Sequence, residues 1–165
     1  MPRSALFVNK QSGGMFSVED MVFSTGNRFF VDSGSATGAD AAGYGLSPDS
    51  PFLTIDYAVG QCAANNGDVI LVMPGHAETV TAAGGLDLDV AGIKILGIGE
   101  GANQPTVTLT TAATADVDVD AAGITVENIC FVAGVADITA AIDVNADDFT
   151  LRRCRFLGDN NGLNA

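Results

Sequence analysis

The sequence predicts an all-β protein built as a short solenoid, and an internal repeat carries this prediction. Residues 86–98 are repeated as residues 117–129 and again as residues 142–154, and the three copies align without a gap. The spacing of the copies, which start at Leu86, Val117 and Ile142, is in the range typical of solenoids. In such folds each repeat buries its apolar face against its neighbours.

The alignment predicts five columns of inward-facing apolar side chains, with one residue from each repeat. In neighbouring parallel strands equivalent residues stack about 4.8 Å apart. The columns are Leu86/Val117/Ile142, Leu88/Val119/Val144, Ile93/Ile124/Phe149, Ile95/Val126/Leu151 and Ile98/Ile129/Cys154. An extra residue before the last column predicts a bend. Gly97 and Asn128, which reach left-handed geometry readily, occupy it in the first two copies, and Arg153 occupies it in the third.

The segment before the repeats predicts a strand, a helix and a second strand. A short strand is expected in residues 30–34. A helix is expected over residues 50–64, with Ser50 as N-cap and Pro51 at the first helical position. Its apolar stripe would be Phe52, Ile55, Val59 and Cys62, spaced by three or four residues. Residues 68–75 predict a buried strand that ends at a Pro-Gly turn.

Composition and charge exclude several classes of protein. The formal net charge is −13, and Lys94 is the only basic residue between Arg28 and Arg152. Nucleic-acid binding is therefore not expected, because phosphate contacts require Lys and Arg. Three cysteines, without a CxxC pair, predict neither a disulfide framework nor a zinc site. No run approaches the ~18 apolar residues of a membrane span, and no signal-peptide core is evident at the N-terminus.

Residues 1–31 differ from the rest of the chain because they are rich in phenylalanine and methionine. One interpretation is that these side chains cover one end of the body. The other is an extended arm that docks on another protein, since exposed apolar patches usually mark interaction surfaces. The candidate partner-binding residues of this arm are Phe7, Met15, Phe16, Met21, Phe23, Phe29 and Phe30.

Three segments together resemble the start of a known superfamily. They are Phe30-Val-Asp-Ser-Gly34, Ser47-Pro-Asp-Ser-Pro-Phe-Leu-Thr-Ile-Asp-Tyr-Ala58 and Gly67-Asp-Val-Ile-Leu-Val-Met-Pro-Gly-His-Ala-Glu78. Their order resembles the right-handed parallel β-helix (pectin-lyase-like) superfamily, which includes bacteriophage tailspikes. The resemblance covers residues 30–157. It implies a short right-handed parallel β-helix at residues 67–165, preceded by a loop and a capping α-helix at residues 32–66 and the arm at residues 1–31.

The outward positions of the repeats form an acidic column, Asp87/Asp118/Asp143, beside Asp89, Asp120 and Asn145. A Ca²⁺ site between stacked carboxylates is one interpretation, and a solvated acidic face is the other. Paired carboxylates also serve glycoside hydrolysis, but any acidic solenoid produces such pairs. His76 follows the Pro-Gly turn and is expected to be solvated. We therefore expect neither catalytic residues nor a cofactor, and no enzyme activity.

The resemblance to tailspikes implies a structural virion protein on the exterior of a bacteriophage capsid. By analogy it would be a homotrimer that decorates or cements the capsid through contacts with the major capsid protein or another virion protein. The alternative is a tail-fibre or tailspike fragment that binds or cleaves a surface polysaccharide. A host surface adhesin is a third interpretation. The tail after Phe156 offers no evident cap, so that end either meets a partner or is covered by the tail.

Overall fold

The structure is a computed structural model that describes residues 26–158 and two short strands near the N-terminus. Strands β1 (Val8–Asn9) and β2 (Phe16–Ser17) pair in antiparallel orientation. The tail at residues 159–165, and the expectation that it covers one end, lie outside the described residues.

The body consists of three parallel sheets and one short helix, α1 (Ile55–Val59). Sheet 1 contains β3 (Arg28–Val31), β4 (Val69–Val72), β7 (Lys94–Gly97), β10 (Thr125–Glu127) and β13 (Thr150–Arg152). Sheet 2 contains β5 (Ala77–Val80), β8 (Thr106–Leu109), β11 (Cys130–Ala133) and β14 (Arg155–Gly158). Sheet 3 contains β6 (Leu86–Leu88), β9 (Val117–Val119) and β12 (Ile142–Val144). A 3₁₀ turn, Gly101–Asn103, lies between β7 and β8.

From β4 onward the chain passes through sheets 1, 2 and 3 in the same order each time. We call one such passage a circuit. Circuits begin at β4, β7 and β10, and a last, partial one consists of β13 and β14. Each strand pairs in parallel with its equivalent in the next circuit. The predicted all-β class is therefore confirmed at the level of parallel sheets.

The predicted columns follow the strand register. Leu86 lies opposite Val117, which lies opposite Ile142. The column Ile95/Val126/Leu151 is aligned in the same way in sheet 1. Inward residues from all three sheets join one hydrophobic core.

Three positions in the predicted columns are exposed; Val144 and Leu151 belong to the last circuit, and Ile98 does not. Ile98 is exposed, whereas Ile129, at the equivalent position of the next circuit, is buried. The reason is that the first copy does not bend where the second does. Strand β7 continues through Gly97, so Ile98 follows the strand outward rather than turning into the core.

The bends differ in which residue takes the left-handed conformation. Asn128 has a φ of 59°, as its residue type predicts. Arg153 has a φ of 53°, although its residue type departs from the pattern of the first two copies, and in the first copy Gly99 has this geometry, with φ of 114°. The expectation for Gly97 was therefore wrong. Glycine is required there for close approach, because a Cβ at Gly97 would lie 2.2 Å from the carbonyl oxygen of Asn128.

Asn128 joins two circuits at this bend. Its Nδ2 donates hydrogen bonds to the carbonyl oxygens of Gly97 and Gly99, each at 2.9 Å. Its Oδ1 accepts a hydrogen bond of 3.2 Å from Nε2 of Gln104. The side chain therefore satisfies backbone groups that would otherwise lose their partners when the chain leaves the sheet.

The helix is shorter than predicted and begins later. Thr54, not Ser50, is the N-cap, and its Oγ1 accepts a hydrogen bond of 3.3 Å from the backbone N–H of Tyr57. The preceding residues are excluded from the helix because Phe52 forms a parallel bridge with Val31. Asp40 also fixes this segment, since its Oδ1 accepts the backbone N–H of Leu53 at 2.7 Å. The apolar stripe was nevertheless correct, because Ile55 and Val59 are buried in the core.

We expect replacement of Asn128 to separate the contribution of backbone geometry from that of the side-chain hydrogen bonds. Asn128→Gly should lower the free energy of unfolding by about 1–2 kcal/mol, because the three hydrogen bonds are lost. Asn128→Ala should cost about 1 kcal/mol more, because alanine disfavours a positive φ. Urea denaturation of both variants measures the difference. Equal losses in the two variants would contradict the role assigned to the left-handed backbone.

Candidate functional site

Two of the predicted arm residues belong to the body. Phe29 is 6% exposed, and its ring centroid lies 6.0 Å from that of Phe52. Its assignment to an exposed arm is therefore corrected: it packs in the core because β3 is a strand of sheet 1. Phe30 is half-buried in the same strand. The remaining arm residues, Phe7, Met15, Phe16, Met21 and Phe23, lie outside the part of the chain whose side chains are described.

The acidic column is aligned in the structure as predicted. Asp87, Asp118 and Asp143 occupy equivalent positions in β6, β9 and β12. The column is extended at its first end by Asp56 of α1, whose Oδ1 accepts the backbone N–H of Asp87 at 3.1 Å. Beside it, Nδ2 of Asn145 donates a hydrogen bond of 3.0 Å to Asp120.

Mutual repulsion affects the protonation of this column. Burial raises the pKa of Asp118 above its ordinary value, and the charges of Asp116, Asp120 and Asp143 raise it further. Burial and the neighbouring aspartates, Asp89 first among them, likewise raise the pKa of Asp87. The column therefore favours proton uptake, and it costs folding energy when every carboxylate is ionised.

The column does not form a metal site in the described part of the chain. No group of three or more His, Cys, Asp or Glu side chains in that part is arranged to hold a metal ion. One buried carboxylate oxygen, Oδ1 of Asp87, has no hydrogen-bond partner. The neighbouring carboxylates follow the strand register instead of converging on this atom. Asp143 is exposed, whereas Asp87 and Asp118 are half-buried, so the column is an acidic face that is only partly solvated.

A buried glutamate, Glu127, forms ion pairs with basic residues from the two neighbouring circuits. Glu127 is 3% exposed and lies 3.0 Å from Nζ of Lys94 through its Oε2. Its Oε1 accepts a hydrogen bond from Nη2 of Arg153. The hydrogen bond from Arg153 is the main cause that lowers the pKa of Glu127, and Lys94 lowers it further against the opposing effect of burial. The repeat pattern does not reveal this cluster, because Lys94, Glu127 and Arg153 occupy different positions of their repeats.

A shallow groove of about 320 Å³ lies beside this cluster. Its walls combine apolar and polar groups, so it could accept a ligand that presents both hydroxyl groups and carbon faces. It lies at the bend between sheets 1 and 2. The lining residues are Leu96, Gly97, Ile98, Gly99, Glu100, Asn128 and Arg153.

His76 is buried, which corrects the expectation that it is solvated. It is 1% exposed, and its Nδ1 accepts the backbone N–H of Ser33 at 3.0 Å. Its Nε2 lies 3.2 Å from Oε2 of Glu78. Because Nδ1 is an acceptor, the proton of the neutral ring lies on Nε2 and is donated to Glu78.

The His76–Glu78 pair holds the helix in place. Oε2 of Glu78 also accepts the backbone N–H of Ile55 at 2.9 Å, at the start of α1. The hydroxyl of Ser33 accepts the backbone N–H of Ala77, so this serine is directed away from the imidazole ring. Ser33, His76 and Glu78 therefore lie close together, and each accepts a hydrogen bond from a backbone N–H group. In a catalytic triad, by contrast, the serine hydroxyl contacts the imidazole.

The last circuit exposes apolar side chains whose equivalents in earlier circuits are buried. Leu151 is 38% exposed, whereas Val126 in the same column is 3% exposed. Phe156 is 55% exposed, and its ring stacks at 5.3 Å on that of the buried Phe131. Val144 and Leu157 are also exposed. This end is therefore a second candidate surface, in addition to the groove.

Comparison with known proteins identifies no relative. No protein-family model, no curated protein and no solved structure matches this chain. Among the described residues, no helix combines the length and the apolar character that crossing a membrane requires.

We expect Asp118→Asn to stabilise the protein by about 0.5 kcal/mol at pH 7 and low salt, because it removes a like charge from the centre of the column. Salt should reduce the gain by screening. The folded state binds the extra proton, so wild-type stability falls as pH rises through the ordinary and raised pKa values of Asp118. The gain should therefore vanish below about pH 3.9. Chemical denaturation at several pH values measures it, with the exposed Asp49→Asn as control. A gain that persists in acid would contradict the electrostatic cause.

We expect Glu127→Gln to lower the free energy of unfolding by about 1–2 kcal/mol at pH 7, because Lys94 and Arg153 lose a charged acceptor. The pKa of Glu127 is lowered in the folded state, so its contribution is complete above its ordinary pKa of about 4.3 and is lost as pH falls through the lower folded value. The difference from wild type should shrink over that range. Glu100→Gln makes the same change at an exposed glutamate and should have little effect. An equal loss at neutral and acid pH would indicate a steric cause.

Proposed function

We propose that the three parallel sheets are the faces of one short right-handed parallel β-helix, and that this protein is a structural component of a bacteriophage particle. The cyclic order of the sheets and the in-register pairing of equivalent strands support the β-helix. Its handedness follows from the strong general preference for right-handed crossovers between parallel strands, at about 98%.

The observation that carries the structural role is how the chain uses its buried polar groups. His76 and Glu78 anchor the start of the helix. Glu127 forms ion pairs with Lys94 and Arg153, which belong to the two neighbouring circuits. Each of these side chains, which in another setting could serve catalysis, is engaged in holding the fold together. This pattern supports a scaffold that acts through its surface.

The proposed role is decoration or cementing of the capsid exterior by a homotrimer. Resemblance to tailspikes supports a trimer of β-helices side by side. Three copies of the N-terminal arm would then bind the major capsid protein or another virion protein together, so weak individual contacts would add through avidity. The net charge of −13 favours a body that remains in solvent and does not associate non-specifically.

A second candidate function is recognition of a surface polysaccharide, and the groove beside Arg153 favours it. Polysaccharide sites combine apolar contacts with groups that bond hydroxyls. Leu96 and Ile98 offer the apolar contacts, and Glu100 and Arg153 offer groups that bond hydroxyls.

The arm can be tested by truncation, and the structure defines where to cut. A variant that begins at Gly26 keeps β3, whose removal would expose the edge of β4. We expect the full chain to sediment with bacteriophage particles purified from the same source. The truncated chain should bind at least tenfold more weakly, because losing arm contacts worth about 1.4 kcal/mol changes the affinity tenfold.

Circular dichroism of both chains controls for folding. Equal binding by the folded truncated chain would exclude the arm as the docking element. Absence of any binding to particles, together with release of reducing ends from host capsular polysaccharide, would replace the structural role with the second candidate.

A further inference from the structure

At the first end of the stack, each of the three sheet edges is contacted by other residues of the chain. The edge of β3 is covered by Gly45 and Phe52, which exchange backbone hydrogen bonds with it. The edge of β5 is covered by Ser33, whose Oγ accepts a backbone N–H at 2.9 Å. The edge of β6 is covered by Asp56 of α1. These contacts occupy part of each strand edge at this end, which makes it less available for strand addition than the opposite end.

The opposite end is open within the described residues. Strands β12, β13 and β14 are each last in their sheets, and no described backbone group pairs with their outer edges. The N–H of Thr150 and the carbonyl of Arg152 bond to the preceding circuit. Since alternate residues of a parallel strand bond to opposite sides, the N–H and carbonyl of Leu151 point outward. Three adjacent strand edges thus surround an exposed apolar centre.

The charges at this end are divided between two of its edges. Around β12 they are acidic, with Asp143 in the strand and Asp147 and Asp148 directly after it. Around β13 they are basic, with the exposed Arg152 in the strand. Arg155 at the start of β14 is directed away from this end, because its Nη1 donates a hydrogen bond of 3.3 Å to Oε1 of Gln104. In the described part of the chain Arg152 makes no ion pair. The same end of each molecule therefore carries an acidic edge and a basic edge, which are complementary in charge.

We propose that the occupant of this end is the same end of a second copy of the chain, related by a twofold axis. The proposal rests on the β-helix proposed above, because it requires the three edges to surround one core. A twofold axis through the edge of sheet 2 sets β14 antiparallel to its symmetry mate. It also brings β13 of each molecule against β12 of the other.

The twofold arrangement provides partners for the charged edges, for the unpaired backbone groups and for the exposed apolar side chains. The arginine edge of one copy meets the aspartate edge of the other, so opposite charges face each other twice. The unpaired backbone groups of the three edges gain partners by strand addition. Phe156 and Leu157 meet beside an apolar groove of about 230 Å³ that Leu109 and Ala141 also line.

The twofold symmetry of the contact limits the assembly to a pair of ends. A contact between unlike ends would build an open filament, whereas a twofold contact between like ends closes after two. If the chain is also a side-by-side trimer, the same contact joins two trimers into a hexamer. In either case the mass of the assembly doubles.

The proposal can be tested by sedimentation velocity of the full chain over a wide concentration range. We expect a reversible twofold increase in mass for the wild type. Leu151→Asp and Phe156→Asp should each abolish the increase, because each places a charge in the apolar centre. Leu46→Asp is the matched control, since Leu46 is 66% exposed and lies outside this end. Circular dichroism establishes that each variant is folded.

Charge reversal tests the pairing of edges. The double variant Asp143→Arg/Asp147→Arg makes the β12 edge predominantly basic, and the variant Arg152→Asp places an acidic residue in β13. We expect each alone to weaken self-association at least tenfold, and an equimolar mixture to associate. Failure of the mixture to associate would overturn the proposed pairing.

Amide hydrogen exchange distinguishes self-association from coverage of this end by other residues of the same chain. If the amides of Val144 and Leu151 are protected equally at all concentrations and the mass never doubles, the chain's own residues cover this end and the proposal is wrong. If the mass doubles but the chain does not bind phage particles, the end contact stands and only the proposed virion role fails.

Discussion

The structure depends on the in-register stacking of inward side chains. Each inward position is covered above and below by its equivalent in the neighbouring circuits, so one residue type repeated at the correct offset buries a continuous column. The column Phe29/Ile70/Ile95/Val126 remains no more than 6% exposed through four strands of sheet 1. Burial of an aliphatic side chain of this size contributes about 1.5–3 kcal/mol. A slip of one residue would turn every such side chain outward, so the columns fix the register of all three sheets together.

The same stacking explains why the column that contains Glu78 has a carboxylate only at the first end. Glu78 occupies the position that Val107, Phe131 and Phe156 occupy in the following circuits. A carboxylate is tolerated there because the backbone of α1 and the ring of His76 donate to it, whereas an unpaired one would be costly. Further along the stack no helix end is near, and the column is apolar. The molecule therefore has distinct ends, although its middle is repetitive.

The sequence was sufficient to predict sheets 1 and 3 and insufficient to predict sheet 2. The strands of sheets 1 and 3 recur at the same pair of offsets, as in Lys94, Thr125 and Thr150. In sheet 2, Thr106 pairs with Cys130, at a shorter offset than the one that separates Lys94 from Thr125. A gapless alignment therefore does not superpose the strands of sheet 2.

The helix start was misplaced because a tertiary contact of Phe52 overrides the local preference of Ser50 and Pro51. The cluster around Glu127 and the burial of His76 were missed because both depend on partners distant in sequence.

At the bend between sheets 1 and 2, the length of the connecting loop does not determine the register of the strands. Eight residues, 98–105, connect β7 to β8, whereas two, 128–129, connect β10 to β11. Both connections nonetheless deliver strands that pair in parallel. A longer connection at this corner is therefore compatible with the same strand pairing. The groove beside Arg153 lies at this corner, so a change in the length of the connection would alter the groove while the register of the strands is kept.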